Sequence, residues 1–186
     1  MKRFSLISAA ILVLFVIVGA SSFAQAKTLA ITTNKTVVDG VVNAAEYSFT
    51  QDFGQMTVYA NRTADALYLA VVGNTKGWVA LGLGSMRMDG STILMGFVDA
   101  SGKVQFKPQA GQGHTHKDAG QDVQSTIISY AMKLVDGKTT LEVALKPSSY
   151  IKAGQTELDV IYAQGTEASF VPRHMFRGAL AIKLAQ

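Results

Sequence analysis

"STIISYAMKLVDGKTTLEVALKP", Ser125 to Pro147, holds two runs of alternating apolar and polar residues joined by Asp136-Gly137. A period of two puts successive side chains on opposite faces of a strand. Asp-Gly is a favoured pair where a two-residue turn needs positive φ at both positions. The stretch therefore reads as an antiparallel hairpin with a primed turn. The same pattern recurs outward from it. "MTVYANRTADALYLAVV" gives a strand from Met56, a polar turn over Asn61 to Asp65, and a strand through Val72. "GWVALGLG" and "STILMGFVDASGKVQFKP" follow, the second turning at "DASG", and "ELDVIYAQG" and "RGALAIKL" close the chain. No stretch sustains a 3.6-residue apolar period over a dozen positions. Eight or nine short strands at this spacing predict an all-β fold, an antiparallel β-sandwich of the immunoglobulin-like kind, as a single domain.

The start of the chain carries a different signal. Lys2 and Arg3 precede an apolar run from about Ala9 to Val18, and "SSFAQA" ends in Ala24-x-Ala26. A basic region, a short apolar region and an A-x-A ending describe a secretory signal peptide over 1–26. That leaves 27–186 as the domain and predicts an exported protein, periplasmic or extracellular. The apolar run is short for a span of roughly 20 residues, and no later segment is long and apolar enough, so no membrane span is expected after cleavage.

Composition removes several function classes. Cysteine is absent, which excludes covalent c-type haem attachment, thiolate zinc sites and a cysteine nucleophile. Residues 27–186 carry 15 Lys and Arg against 13 Asp and Glu, a formal +2, because Lys2 and Arg3 lie in the first 26 residues. No stripe of basic residues interleaves with aromatics, so nucleic acid is not an expected partner. With no G-x-S-x-G, no H-E-x-x-H and no marked carboxylate pair, the chain does not read as an enzyme. Any catalysis is expected to lie in a partner.

The unusual residues are the soft donors. In "GWVALGLGSMRMDGSTILMGFVD", Gly77 to Asp99, the connection between two apolar strands contains Met86 and Met88 beside Gly82, Gly84 and Gly90. Turn chemistry has no need of a thioether, whereas glycines let a backbone approach something closely. If extended, Met86 and Met88 share a face. The polar segment Pro108 to Gln124 reads as one long loop and holds His114 and His116, a pair able to bind Cu(II) or Zn(II) or simply to face solvent. His174, in "SFVPRHMFRGALAIKL", stands just before the last strand, as a structural histidine or a ligand. A thioether and an imidazole 86 residues apart, Met88 and His174, form no local motif. Brought together by the fold, Met and His are one of the known axial pairs of a haem iron, and the thioether favours Fe(II). Iron with both axial positions filled is suited to passing an electron.

"DGVVNAAEYS", "YANRTADALYLAVVGNTKGWVALGLG", "MDGSTILMGFVD" and "HMFRGAL" resemble, in that order, the landmarks of a DOMON domain. The resemblance covers about Asp39 to Leu184 and is to the haem-binding branch, that of the cytochrome domain of cellobiose dehydrogenase and of secreted plant cytochromes. It implies an antiparallel β-sandwich and non-covalent haem b for single-electron transfer with an unidentified redox partner protein. It also implies an axial pair: Met88, from the M-x-G-S of Met88 to Ser91, and His174, before R-G-x-L. Met86 is a reserve ligand. Trp78 matches the motif tryptophan, a packing residue before a haem contact, and Arg173 or Arg177 would pair with a haem propionate. Met175 would face away from His174 on an extended segment. Two alternatives stay open: a carbohydrate-binding β-sandwich module stacking glycan on Tyr47, Tyr59 and Trp78, and a periplasmic copper or zinc binder using His114, His116 and the methionines.

Overall fold

Asp136 and Gly137 have φ of 50° and 76°. They link β8 (Ile127–Val135) to β9 (Lys138–Leu145), and Val135 pairs directly with Lys138, so the two-residue primed turn is present. The protein is described here by a computed structural model covering residues 28–185, and the expected signal segment 1–26 lies outside the described residues. Around that hairpin, β1 (Phe49–Asp52), β2 (Met56–Arg62) and β3 (Leu67–Gly73) complete an antiparallel sheet in the order β1-β2-β3-β9-β8. A second antiparallel sheet runs β11-β10-β4-β5-β6-β7. Its strands are β4 (Val79–Leu83), β5 (Thr92–Val98), β6 (Val104–Gln112), β7 (Thr115–Asp118), β10 (Glu157–Gln164) and β11 (Phe176–Lys183). The expected β-sandwich is the observed fold. No helix among the described residues is long and apolar enough to cross a membrane.

Between the sheets, Val58, Leu69, Leu81, Leu94, Leu141, Val143 and Val160 are fully buried. Each such side chain contributes about 1.5–3 kcal/mol by leaving water. The outer face of β9 is covered too. The segment Asp39–Tyr47 lies over it, and Tyr47 packs with Tyr68, Ala70 and Ala144. The fully buried Glu142 ties this segment down: it accepts from Gly40 N at 2.7 Å, Asp39 N at 3.1 Å and the Tyr47 hydroxyl at 2.6 Å. Burial, then the hydrogen bond to Glu142, pushes the Tyr47 phenol far above its ordinary range, so the phenol is the donor.

Eleven strands among the described residues exceed the eight or nine expected. The polar segment 108–124 is not one loop. Its first residues belong to β6, β7 folds back on them, and a helical turn α1 (Gln121–Gln124) follows. Every residue of β7 is exposed, so pairing through backbone hydrogen bonds builds this edge without an alternating pattern to announce it. Four-residue β1 escaped for the same reason, with only its first residue buried. The "DASG" turn stands as read. Asp99 accepts from the backbone of Ser101 and Lys103 and from the side chains of Ser101 and Gln105. Those donors, Ser101 and Gln105 foremost, lower its carboxyl to about 2.

Two outcomes are expected. Tyr47→Phe leaves Glu142 short of one charge-assisted donor and should cost about 1.5–3 kcal/mol in urea unfolding at neutral pH; a loss within about 0.5 kcal/mol, that of an ordinary surface change, would contradict the anchor. For Asp99, a depressed carboxyl contributes stability that is complete above the ordinary value of about 3.9 and is lost as pH falls through about 2. The stability gap between wild type and Asp99→Asn should therefore be widest near neutral pH and close on acidification, whereas a gap independent of pH would contradict it.

Candidate functional site

The outer face of the six-stranded sheet is floored by small residues. Ladder pairing aligns Ala179, Ile161, Gly82 and Ile93 in one row and Arg177, Ala163, Ala80 and Met95 in the next. Large residues of the same strands, Val79, Leu81, Leu83, Leu94 and Val160, point the other way into the core. A Cβ at Gly82 would collide with the Ile161 side chain, so glycine here makes room for Ile161 on the floor of the groove. The resulting groove has a volume of about 1110 Å³, just above the roughly 300–1,000 Å³ common for ligand sites.

One wall is the connection between β4 and β5. It turns through Gly84 at φ 88° and Gly90 at φ 77°, values that favour glycine. It is fastened to the β6–β7 hairpin at three points. Asp89 Oδ1 accepts from Gly113 N at 2.7 Å, Gly111 O from Gly90 N at 3.2 Å, and Ser91 O from Gly111 N at 2.9 Å. The Ser91 hydroxyl donates to Met88 O at 2.7 Å. A Cβ on Gly111 would fall on the Met88 carbonyl, so only glycine admits the connection at this depth. Met88 is half-buried against the cluster of Trp78, Ala80, Ile93, Met95 and Phe97, while Met86 is 44% exposed. The segment bends rather than running extended, yet both methionines line the groove. So do His114 and His116 of the adjoining hairpin.

The other wall is the connection between β10 and β11. Antiparallel pairing puts it at the opposite end of β4: Leu83, which leads into the methionine connection, pairs with Val160, and Val79 pairs with Gln164. Gly165 N donates to Trp78 O at 3.0 Å, and Trp78 N to Glu167 O at 3.1 Å. Gly165 has no room for a Cβ against the Trp78 indole, nor Gly77 against the Gly165 carbonyl. Trp78 is thus held as buried floor beneath this wall, and its Nε1–H is buried without a hydrogen-bond partner. Arg173, His174 and Arg177 line the groove above it. His174 is exposed, and its Nε2 lies 3.3 Å from Arg177 Nη1. A guanidinium only donates, so in this contact Nε2 is the accepting atom. Met175 is 56% exposed and does not line the groove.

All the residues singled out in the sequence as soft donors or anion partners, Met86, Met88, His114, His116, Arg173, His174 and Arg177, therefore face one groove with Trp78 in its floor. Arg87 adds a third arginine, against one carboxylate, Asp89, so the lining favours an anionic group. The tyrosines separate from this set. Tyr47 and Tyr59, 5.4 Å apart, belong to the outer face of the other sheet, so they form no stacking platform with Trp78. Gly111, Gly165 and Arg87 were not singled out as site residues. The first two act through contacts with residues far away in the chain, and nothing local marks them.

No family model matches the chain, and no curated protein does. Solved structures do. The cytochrome b domain of pyranose dehydrogenase from Coprinopsis cinerea is 13% identical, with a TM-score of 0.54 over 74% of this chain and 81% of that one. The cytochrome domain of Myriococcum thermophilum cellobiose dehydrogenase is 12% identical, with a TM-score of 0.49 over 74% and 81%. A family 9 carbohydrate-binding module from Caldicellulosiruptor kristjanssonii, solved with glucose, is 15% identical, with a TM-score of 0.48 over 86% and 96%. What the chain shares with the first of these is a fold: the single-domain antiparallel β-sandwich.

Proposed function

We propose that the chain is an exported b-type haem protein of the DOMON kind that passes single electrons, with Met88 and His174 as axial ligands. The observation that carries this is the convergence of the two connections: residues 86 positions apart in the chain line opposite ends of one groove. The groove suits haem on three counts. It has a trough of small residues flanked by Ile93, Met95 and Ile161. It has a thioether and an imidazole on facing walls. It has an excess of arginines at its rim for carboxylates.

Haem held by one Met and one His supplies a one-electron couple, and a thioether ligand raises its potential. The chain does the rest. Met88 is set by the Ser91 hydroxyl, Gly111 and the Asp89–Gly113 bond before any ligand arrives. His174 presents Nε2, the lone pair that Arg177 engages. Arg177 and Arg173, which line the groove beside His174, would be the residues to hold a propionate if haem were bound. The apolar residues of the floor, Ile93, Met95 and Ile161, would keep water from a bound haem. The redox partner is a separate protein, and no residue of this chain is assigned a catalytic step.

Met88→Ala and His174→Ala should each abolish the six-coordinate low-spin absorption spectrum while leaving the far-ultraviolet circular dichroism unchanged. Met86→Ala should keep that spectrum. Loss with Met86→Ala in place of Met88→Ala would move the ligand by two residues, and an unchanged spectrum in both Met88 and His174 variants would overturn the assignment. Gly111→Ala should displace Met88 and weaken haem binding about ten-fold, the effect of some 1.4 kcal/mol; affinity equal to wild type in a haem titration would show that the close approach does not position the ligand.

A further inference from the structure

We propose that Met86, His114 and His116 form a second metal site, for Cu(I), on the methionine side of the groove. These are the exposed soft donors left in the groove lining once Met88 and His174 are assigned, since Met95 is buried. The hairpin and the connection that carry them are fastened together by Asp89 to Gly113, Gly90 to Gly111 and Gly111 to Ser91. His116 pairs with Gly111 in the ladder, and Gly111 lies directly under the Met88 carbonyl, so this imidazole belongs to the strand beneath the methionine connection. His114 follows Gly113, whose N–H donates to Asp89. Both histidines are exposed, Met86 is 44% exposed, and all three line the same groove, so a metal can reach them from solvent.

The donor set selects the ion. One thioether and two imidazoles make an uncharged, soft, three-donor site, which suits Cu(I). Zinc in a closed site takes four donors from Cys, His and carboxylates. Here cysteine is absent, the nearby Asp89 Oδ1 accepts from Gly113 N, and among the described residues no three His, Asp or Glu gather around a metal position. The wall reached from solvent thus takes a monovalent soft cation in preference to a divalent one. The same wall carries Met88, so a copper ion bound there lies beside the ligand proposed for the haem.

The test is an anaerobic competition titration of the haem-loaded wild-type protein against a chromophoric Cu(I) chelator. One equivalent of Cu(I) should be withdrawn from the chelator. His114→Asn with His116→Asn, and separately Met86→Leu, should each weaken Cu(I) binding by more than the roughly 10–100-fold that outer-shell changes cost. His174→Ala should bind Cu(I) like wild type whether or not it still holds haem, which separates failure of this site from failure of the haem reading. A wild type that withdraws no Cu(I), or a double histidine variant that binds it undiminished, would overturn the proposal. So would loss of Cu(I) binding in His174→Ala, since copper would then occupy the haem position. Tighter binding of Zn(II) than of Cu(I) would overturn the choice of ion.

Discussion

Strand β4 sets the constraint on which the site depends: its two faces are sized oppositely. Val79, Leu81 and Leu83 fill the space between the sheets, while Ala80 and Gly82 leave the outer face low. The same asymmetry continues across β10, where Val160 points in and Ala163 out, and onto Ala179 of β11. A sheet with bulky side chains on one face and small ones on the other makes a stable layer and a trough at once. The large residues supply the burial free energy, so the outer face is free to be shaped by a ligand. Both connections that close the trough then depend on glycines, Gly111 for one and Gly77 with Gly165 for the other, where a single added carbon would strike backbone or indole.

The two outer faces of the sandwich have different work. Over β9, Tyr47, Tyr68 and the segment Asp39–Tyr47 seal the surface, and Glu142 holds the seal with three hydrogen bonds from one buried carboxylate. Removing one donor from a buried charge costs more than removing a surface contact, so this face is rigid by construction. Over β4, polar and soft groups instead point into an open groove, and their mutual contacts are few. His174 contacts Arg177, and the Trp78 Nε1–H has no hydrogen-bond partner.

Much of the fold is legible in the chain. The Asp136-Gly137 turn, the "DASG" turn, the apolar run of β3 and the alternation of β2 and β10 follow from local rules of dihedral preference and period. Edge strand β7 does not, because all of its side chains are exposed and only backbone pairing defines it. Glu142 also defeats local reading: on an alternating strand it passes for a solvent-facing residue, and only the packing of Asp39–Tyr47 makes it buried. The site divides in the same way. Met86 and Met88 stand out because thioethers have no role in a turn. That they share a groove with His174 is a property of the β4–β10 pairing and cannot be read from spacing. Gly111 and Gly165 are silent in the sequence, since the atoms they make room for are supplied by distant segments.

The most direct test of the haem groove is a titration of haemin into haem-free wild-type protein, followed by reduction with dithionite. The account predicts saturation at one haem per chain, with sharp α and β bands beside an intense Soret band in the reduced state. A protein that unfolds cooperatively, and is therefore folded, but takes up no haem stoichiometrically would contradict it.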